Sequence, residues 1–253
     1  AKSPRWGRLS FSSVAGGGAA ADVWFVDADR RIATLAGSLC RYFNHAGRVK
    51  APLRLEAMGP TPISRAVNAV ALCNRFFDGG DNRNIDRHLR LAFSPSMRVF
   101  VDRETQPRGA HPDPAAPAER AGDAQLKRSI QMDLRMVAGD LSESALRAAS
   151  SDVIQVARST DVRNLSRLVS ARASQLHEAG AVPAVIIQAM GAQSINIMVQ
   201  ALTMSWQTCA RESDDELCAG FMSIPSHIKL EDDGTGGRAR YSGVQCMLVA
   251  STS

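Results

Sequence analysis

The stretch that decides the fold is AMGPTPISRAVNAV, residues 57–70. A second stretch, AMGAQSINIMVQALTMSW, residues 189–206, repeats it 132 residues further along the chain. In each copy, a short apolar run ends at a glycine, and apolar residues then recur at helical spacing. Each copy therefore predicts a buried strand, a glycine turn and a helix, and the repetition predicts one unit used twice.

The flanking sequence extends each copy to the order βαβαββ. In the first copy, we predict strands at 23–26, 53–58, 88–101 and 130–136, a helix that starts at residue 32 and ends at Gly47, and a helix at 61–78. In the second, we predict strands at 152–157, 184–190, 217–230 and 240–251, and helices at 161–179 and 194–210. Because proline cannot donate to a strand ladder, Pro95 indicates an edge or a bulge, and Pro225 interrupts the corresponding strand.

These patterns divide the chain into four parts. We predict a flexible basic arm at 1–21, the first module at 22–138, a linker at 139–150 and the second module at 151–253. The first module contains a proline-rich insertion at 105–125, which has no hydrophobic periodicity. No run approaches the roughly 18 apolar residues of a membrane-spanning helix, so we expect no membrane span.

The net charge of +5 over 253 residues is unevenly distributed. Residues 1–21 contribute +3 and residues 22–104 contribute +4, whereas residues 151–253 contribute −2. This basic first half is compatible with nucleic-acid binding. The acid-free arm, rich in Ser, Gly, Ala and Arg, is typical of a transit peptide and predicts a mitochondrial or plastid location. A disordered arm on a cytoplasmic protein is the alternative.

Neither the cysteines nor the histidines form a recognisable chemical motif. The five cysteines are odd in number and widely spaced, so we expect buried thiols and no disulfide framework. The five histidines are isolated, and none has the spacing of metal ligands. We therefore expect a non-enzymatic protein with no catalytic residues, no metal and no cofactor.

The helix motif resembles that of the stage V sporulation protein S family, a branch of the Alba-like group. In that family, a buried strand ending in glycine precedes a helix of the type found here as ISRAVNAVA, residues 63–71. The family also has a small, polar and basic turn after its first strand. Residues 157–160, ARST, resemble that turn well, and residues 28–31, ADRR, resemble it less well.

The resemblance implies an α+β fold of two tandem Alba-like two-layer sandwiches, which pair within the chain as a pseudo-dimer or associate as a homo-oligomer. It also implies nucleic-acid binding, and we expect RNA rather than DNA to be bound, through phosphate contacts. The implied contacts come from the first turns, the second helices and the first hairpin, and the five arginines of the turns and helices are expected to cluster at one end. These site residues are Arg30, Arg31, Arg65, Asn68, Arg98, Arg103, Arg158, Arg163 and Gln200.

An alternative function uses the same fold for protein contacts. The chain would then be an accessory subunit of a large organellar assembly, such as a ribonucleoprotein or a respiratory complex. Arginine is common at protein interfaces as well as on phosphate-binding surfaces, so the arginines alone do not separate the two hypotheses.

Overall fold

The computed structural model describes residues 21–44, 53–78, 89–101, 126–138, 153–178, 185–212, 221–229 and 242–250. These residues form eight strands and four helices, and the order βαβαββ occurs twice. The first half contains β1 (Asp22–Val26), α1 (Ile32–Asn44), β2 (Leu53–Ala57), α2 (Pro60–Asp78), β3 (Leu89–Val101) and β4 (Leu126–Ala138). The second contains β5 (Ile154–Val156), α3 (Val162–Glu178), β6 (Ile186–Met190), α4 (Gly191–Glu212), β7 (Phe221–Lys229) and β8 (Ser242–Ala250).

Three of the predicted segments cannot be compared with the structure. The proline-rich insertion at 105–125 and the linker at 139–150 lie outside the described residues, as does the arm at 1–21 apart from Ala21.

The described strands form one mixed sheet in the order β1-β2-β4-β3-β7-β8-β6-β5. The pairs β1–β2 and β5–β6 are parallel, and all other neighbours are antiparallel. The predicted mixed α+β class is therefore confirmed. The sheet is continuous across the two halves, because β3 pairs with β7.

The two halves share their strand register as well as their element order. In the first half, Leu53 faces Leu134 and Leu134 faces Phe93. In the second, the Leu248 N–H donates to the Val185 carbonyl and Leu248 faces Ser223. Phe93 and Ser223 are thus equivalent positions, and they pair with each other. An approximate two-fold axis therefore passes between β3 and β7.

The two glycine turns that precede α2 and α4 have the same backbone conformation. Gly59 and Gly191 have φ values of +85° and +78°, a region that side chains other than glycine rarely adopt. The preceding residues, Ala57 and Ala189, are both buried. The α2 helix begins at Pro60, one residue before the predicted start at residue 61.

Small and branched apolar side chains form the main core. The helices bury one face against one side of the sheet, and the β-strands point alternate residues into the same cluster. Ala66, Ala69 and Ala201 are fully buried, so the helix backbones approach their neighbours closely. Van der Waals contact and burial of this apolar surface are the main forces that hold the two layers together.

The seam between β3 and β7 is interrupted by Pro95 and Pro225, which both lack an N–H. The buried side chain of Asn74 on α2 fills the gap beside Pro225. Its Nδ2 donates to the carbonyls of Leu91 (2.9 Å) and Pro225 (3.0 Å), and its Oδ1 accepts the Leu91 N–H (2.7 Å). Because these Leu91 groups point at the seam, Pro95 on the same strand turns its nitrogen toward the seam as well. Pro95 was predicted to lie on an edge strand. It lies on β3, the strand of the first half that borders the second half.

The helices also join the halves. The α2 helix contacts β7, α4 contacts β3, and α2 and α4 pack against each other. On the sheet face opposite the helices, a second apolar cluster lies around the seam, formed by Ala92, Met222, Ile224 and Met247.

Candidate nucleic-acid interface

Arg30 and Arg31 lie in the turn between β1 and α1. The Arg30 N–H donates to the Asp27 carbonyl (3.3 Å), and the Arg31 carbonyl accepts the N–H of Leu35 (3.1 Å) at the start of α1. The Arg30 Nη1 donates to the Phe25 carbonyl at 3.1 Å. These bonds hold Arg30 half buried across the end of β1, whereas Arg31 is exposed.

Arg65 lies in the second turn of α2 and reaches the same place. Its Nη1 donates to the Arg30 carbonyl at 2.6 Å, which fixes the guanidinium beside the β1–α1 turn. Within the described part of the chain, no carboxylate lies within salt-bridge distance of Arg30, Arg31 or Arg65. The structure therefore brings together the three basic residues predicted for this end of the first half.

A two-stranded arm extends beyond the sheet at the same end. Val26, Ala57, Ile130 and Met97 form the last row that crosses all four strands of the first half. Beyond this row, β3 and β4 continue for four more pairs, residues 98–101 with 126–129, which we call the ribbon arm. The ribbon arm lies next to the Gly59 turn and the start of α2, because β2 ends at Ala57.

The ribbon arm carries three basic residues and, among its described positions, no acidic ones. Arg98 faces the buried carboxylate of Glu56 at 3.8 Å, and Glu56 also accepts a hydrogen bond from Ser129 (2.6 Å). Lys127 and the exposed Arg128 were missed by sequence reasoning, which began this strand at Ile130. Their signal was the basic pair directly before the alternating strand. Because Met97 and Ile130 face the helices, Arg128 lies on the helix side of the ribbon arm, and Arg98 and Lys127 lie on its opposite side. We call this end of the first half the basic end, and its basic residues are Arg30, Arg31, Arg65, Arg98, Lys127 and Arg128.

The start of α2 offers few backbone donors to an anion. Helix N-termini bind phosphate through N–H groups that have no partner in the first turn. Here, Pro60 and Pro62 have no N–H, and the Ile63 N–H donates to the Gly59 carbonyl at 3.2 Å. Side chains must therefore supply most of any phosphate contact at this end.

Arg158 and Arg163 lie far from the basic end, contrary to the predicted single cluster. Because β3 and β7 run antiparallel, β2 and β6 also run in opposite directions, and the turns that follow them emerge at opposite ends of the sheet. Both arginines are exposed near the start of α3. The Asp161 carboxylate lies between them in sequence and caps α3 by accepting the Asn164 N–H (2.8 Å).

The second end is not a copy of the basic end. The bond from Thr160 N–H to the Ala157 carbonyl matches that from Arg30 to Asp27 in the first half. Likewise, the Leu165 N–H bonds to the Asp161 carbonyl as Leu35 does to Arg31. Thr160 and Asp161 are thus the counterparts of Arg30 and Arg31. At the offset of the glycine turns, the buried Ile197 replaces Arg65.

The two amide residues predicted for phosphate contact are already hydrogen bonded within the chain. The Asn68 Nδ2 donates to the Ser64 carbonyl (2.8 Å), and its Oδ1 lies 3.1 Å from Nε2 of His227 on β7. The Gln200 Nε2 donates to Oδ1 of Asn196 at 3.3 Å. Asn68 therefore helps to join the halves and is not part of the basic end. Arg103, the remaining predicted site residue, lies outside the described residues.

The environment of His227 on β7 alters the pKa of its imidazole. Burial, and then the positive charge of Arg75, lower its pKa, which favours the neutral imidazole. Because the Asn68 Oδ1 can only accept, His227 donates through Nε2–H in this contact. This arrangement is structural, since the imidazole already has a partner across the seam.

The described part of the chain also bears on other kinds of site. Among its residues, no three His, Cys, Asp or Glu side chains are grouped as metal ligands. No described helix combines the length and apolar character needed to cross a membrane. Comparisons of the chain with protein-family models, with curated proteins and with solved structures gave no match.

Proposed function

We propose that this chain is a non-enzymatic RNA-binding protein made of two Alba-like units, which contacts phosphates through the basic end of its first half. The observation that carries the proposal is the convergence of three separate elements on that end. The β1–α1 turn, α2 and the ribbon arm place Arg30, Arg31, Arg65 and Arg128 on the helix side of that end and Arg98 and Lys127 on the other face of the ribbon arm, against Asp27, Asp29 and Glu56. The excess of positive charge favours a polyanion.

The geometry supports backbone contacts more than base recognition. Arg31 and Arg128 are exposed, and their guanidinium groups suit phosphate oxygens. The repeated element order and shared register support the Alba-like assignment of both halves. The continuous sheet supports a pseudo-dimer within one chain over a homo-oligomer. We place the protein in a mitochondrion or plastid, on the composition of residues 1–21.

The test is a fluorescence-anisotropy titration of labelled single-stranded RNA, duplex RNA and duplex DNA at several salt concentrations. Each phosphate that the protein neutralises contributes a slope of about −0.7 for single strands and −0.9 for duplexes in log K against log salt. Neutralisation of four to six phosphates by the basic end predicts a slope of about −3 to −5. Absence of binding at low salt, or binding that ignores salt, would refute the proposal. Tighter binding of duplex DNA would refute the choice of RNA.

Two matched double variants locate the interface. Arg31→Glu with Arg128→Glu reverses two exposed charges at the basic end, and Arg158→Glu with Arg163→Glu makes the same change at the opposite end. We expect the first pair to weaken RNA binding by at least about tenfold, which is about 1.4 kcal/mol, and the second pair by less than about threefold. Equal weakening by the two pairs would show that only net charge matters.

The second candidate is an accessory subunit of a large organellar ribonucleoprotein or respiratory complex. It is favoured by Thr160, Asp161 and Ile197, which stand where the first half has its three arginines. An end of the same architecture without that charge is suited to protein contacts. Size-exclusion of a native extract tests this candidate. A very large species that survives nuclease supports it, and a small free species refutes it.

A further inference from the structure

Two cysteines of the first half face each other between α1 and α2. The Sγ atoms of Cys40 and Cys73 lie 2.9 Å apart. Both thiols are free and buried, with Cys40 8% exposed and Cys73 completely enclosed. We propose that Cys40 and Cys73 form a redox-active pair, which a hydroperoxide oxidises to a disulfide that links α1 to α2.

The contact divides the roles of the two thiols. The hydrogen bond between them lowers the pKa of Cys40 despite its burial, and the same bond together with burial raises the pKa of Cys73. Because the thiolate is the nucleophile, Cys40 attacks first. Cys40 is also the one of the two that has some exposure to solvent.

The reaction balances with hydrogen peroxide as the oxidant. The Cys40 thiolate attacks one peroxide oxygen, the O–O bond breaks, and the hydroxide released takes a proton to become water. The resulting Cys40 sulfenic acid is then attacked by Cys73, which loses its proton, and the S–O bond breaks to release a second water. Both sulfurs are oxidised together by two electrons, and the peroxide is reduced by two.

The two sulfurs already lie close to bonding distance. A disulfide has an S–S length of about 2.05 Å, so the two sulfurs must approach by less than 1 Å. Cys246 provides a contrast within the same chain. It is fully buried on β8 and has no described thiol partner, and its burial raises the pKa of its thiol.

The second half has hydroxyl groups at the matching positions. The two glycine turns lie 132 residues apart, and at this spacing Cys73 corresponds to Ser205. The turns that contain Arg30 and Thr160 lie 130 residues apart, and at this spacing Cys40 corresponds to Ser170. Ser205 donates to the Ser166 carbonyl at 2.8 Å, so α3 and α4 are also joined by a polar contact at this level. Serine cannot form a disulfide, and the redox pair is therefore confined to the first half.

The experiment uses the full chain without substitutions. Reduced protein is treated with hydrogen peroxide, denatured, alkylated with N-ethylmaleimide and digested with trypsin. We expect alkylatable thiols to fall from five to three per chain, and a linked pair of peptides, residues 32–41 with 66–75, to appear and to vanish on reduction. Recovery of both cysteines as free thiols, separate oxidation of either to sulfinic acid, or linkage to another cysteine would each overturn the proposal.

A matched variant provides the control. Cys73→Ser copies the residue of the second half and leaves Cys40 without a resolving thiol. After peroxide treatment of this variant, we expect no paired loss of two alkylatable thiols and no linked peptide. Before oxidation, its far-ultraviolet circular dichroism spectrum should match that of the wild type. A linked peptide at Cys40 that persists in this variant would overturn the pairing.

Discussion

Replacing Asn74 by alanine removes the amide that closes the gap in the seam. In the wild type, this side chain makes three hydrogen bonds, two to Leu91 and one to Pro225. Asn74 and Leu91 are essentially inaccessible to water, so solvent cannot replace the missing amide. If the strands move together, the Leu91 N–H can bond to the Pro225 carbonyl. The Leu91 carbonyl then still lacks a donor, because Pro225 has no N–H.

The cost follows from that accounting. A net hydrogen bond contributes about 0.5–1.5 kcal/mol, and a buried polar group left without a partner costs about 1–3 kcal/mol. We therefore expect Asn74→Ala to lower the free energy of unfolding by about 3 kcal/mol, a large part of the 5–15 kcal/mol typical of a folded domain. Asn74→Asp should cost more at neutral pH, because it turns a carboxylate toward two carbonyl oxygens.

Urea unfolding followed by circular dichroism and tryptophan fluorescence measures this loss by linear extrapolation. Asn68→Ala is the control, since it removes a half-buried amide on the same helix that water can reach in part. We expect this control to cost about 1 kcal/mol or less. If Asn74→Ala costs no more than Asn68→Ala, the seam does not depend on the Asn74 amide and the reasoning is wrong.

Three further predictions, with four substitutions between them, test other parts of the structure. The pKa of His227 is lower in the folded protein than in the unfolded chain. As the pH drops below about 6.5, the unfolded chain therefore takes up a proton at His227 before the folded protein does, and the free energy of unfolding should fall. His227→Gln, which keeps a donor for Asn68, should reduce that slope in urea titrations over this range, and an unchanged slope would contradict the assignment. Gly59→Ala should cost about 1 kcal/mol or more because of its φ of +85°, whereas Gly37→Ala inside α1, where a methyl group meets open space, should gain about 0.5–1 kcal/mol. Thermal melts that rank these two glycines the other way would refute this. Asp133→Asn weakens the paired hydrogen bonds with Arg54 (2.6 and 3.1 Å), and because both side chains are about one-third exposed, the urea-measured loss should stay below about 1 kcal/mol.

Much of the fold could be predicted because each element has a local cause. The glycine that ends β2 and the apolar stripe of α2 depend on neighbouring residues, and both were predicted within a few positions. The same is true of Gly191 and α4 in the second half. Element order was therefore readable from periodicity and turn chemistry alone.

The relation between the halves was not readable in the same way. Whether β3 meets β7, and in which direction, depends on contacts between residues more than a hundred positions apart. That direction separated Arg158 from Arg65, two residues that a local interpretation had placed together. Asn74 was missed for the same reason, because its role depends on a proline 151 positions away.

Some residues of the basic end could be predicted from the sequence, and others could not. Arg30 and Arg31 were predicted because they follow a clear strand, and Arg65 because it lies in the repeated helix. Lys127 and Arg128 became candidates once β4 was seen to extend beyond β2. Strand ends are set by the partner strand, which a single segment of sequence does not specify.

The contact between β3 and β7 joins two parts of one polypeptide, with consequences for assembly. Partners tethered in this way meet at a high effective concentration, so dilution does not separate them as it would two subunits. The melting temperature should therefore be independent of protein concentration. The two halves are always present in equal numbers. A substitution in one half does not also change the other half, as it would in a dimer of identical subunits, and Cys73 and Ser205 illustrate such a difference. Each half is thereby able to specialise while its counterpart keeps the shared architecture intact.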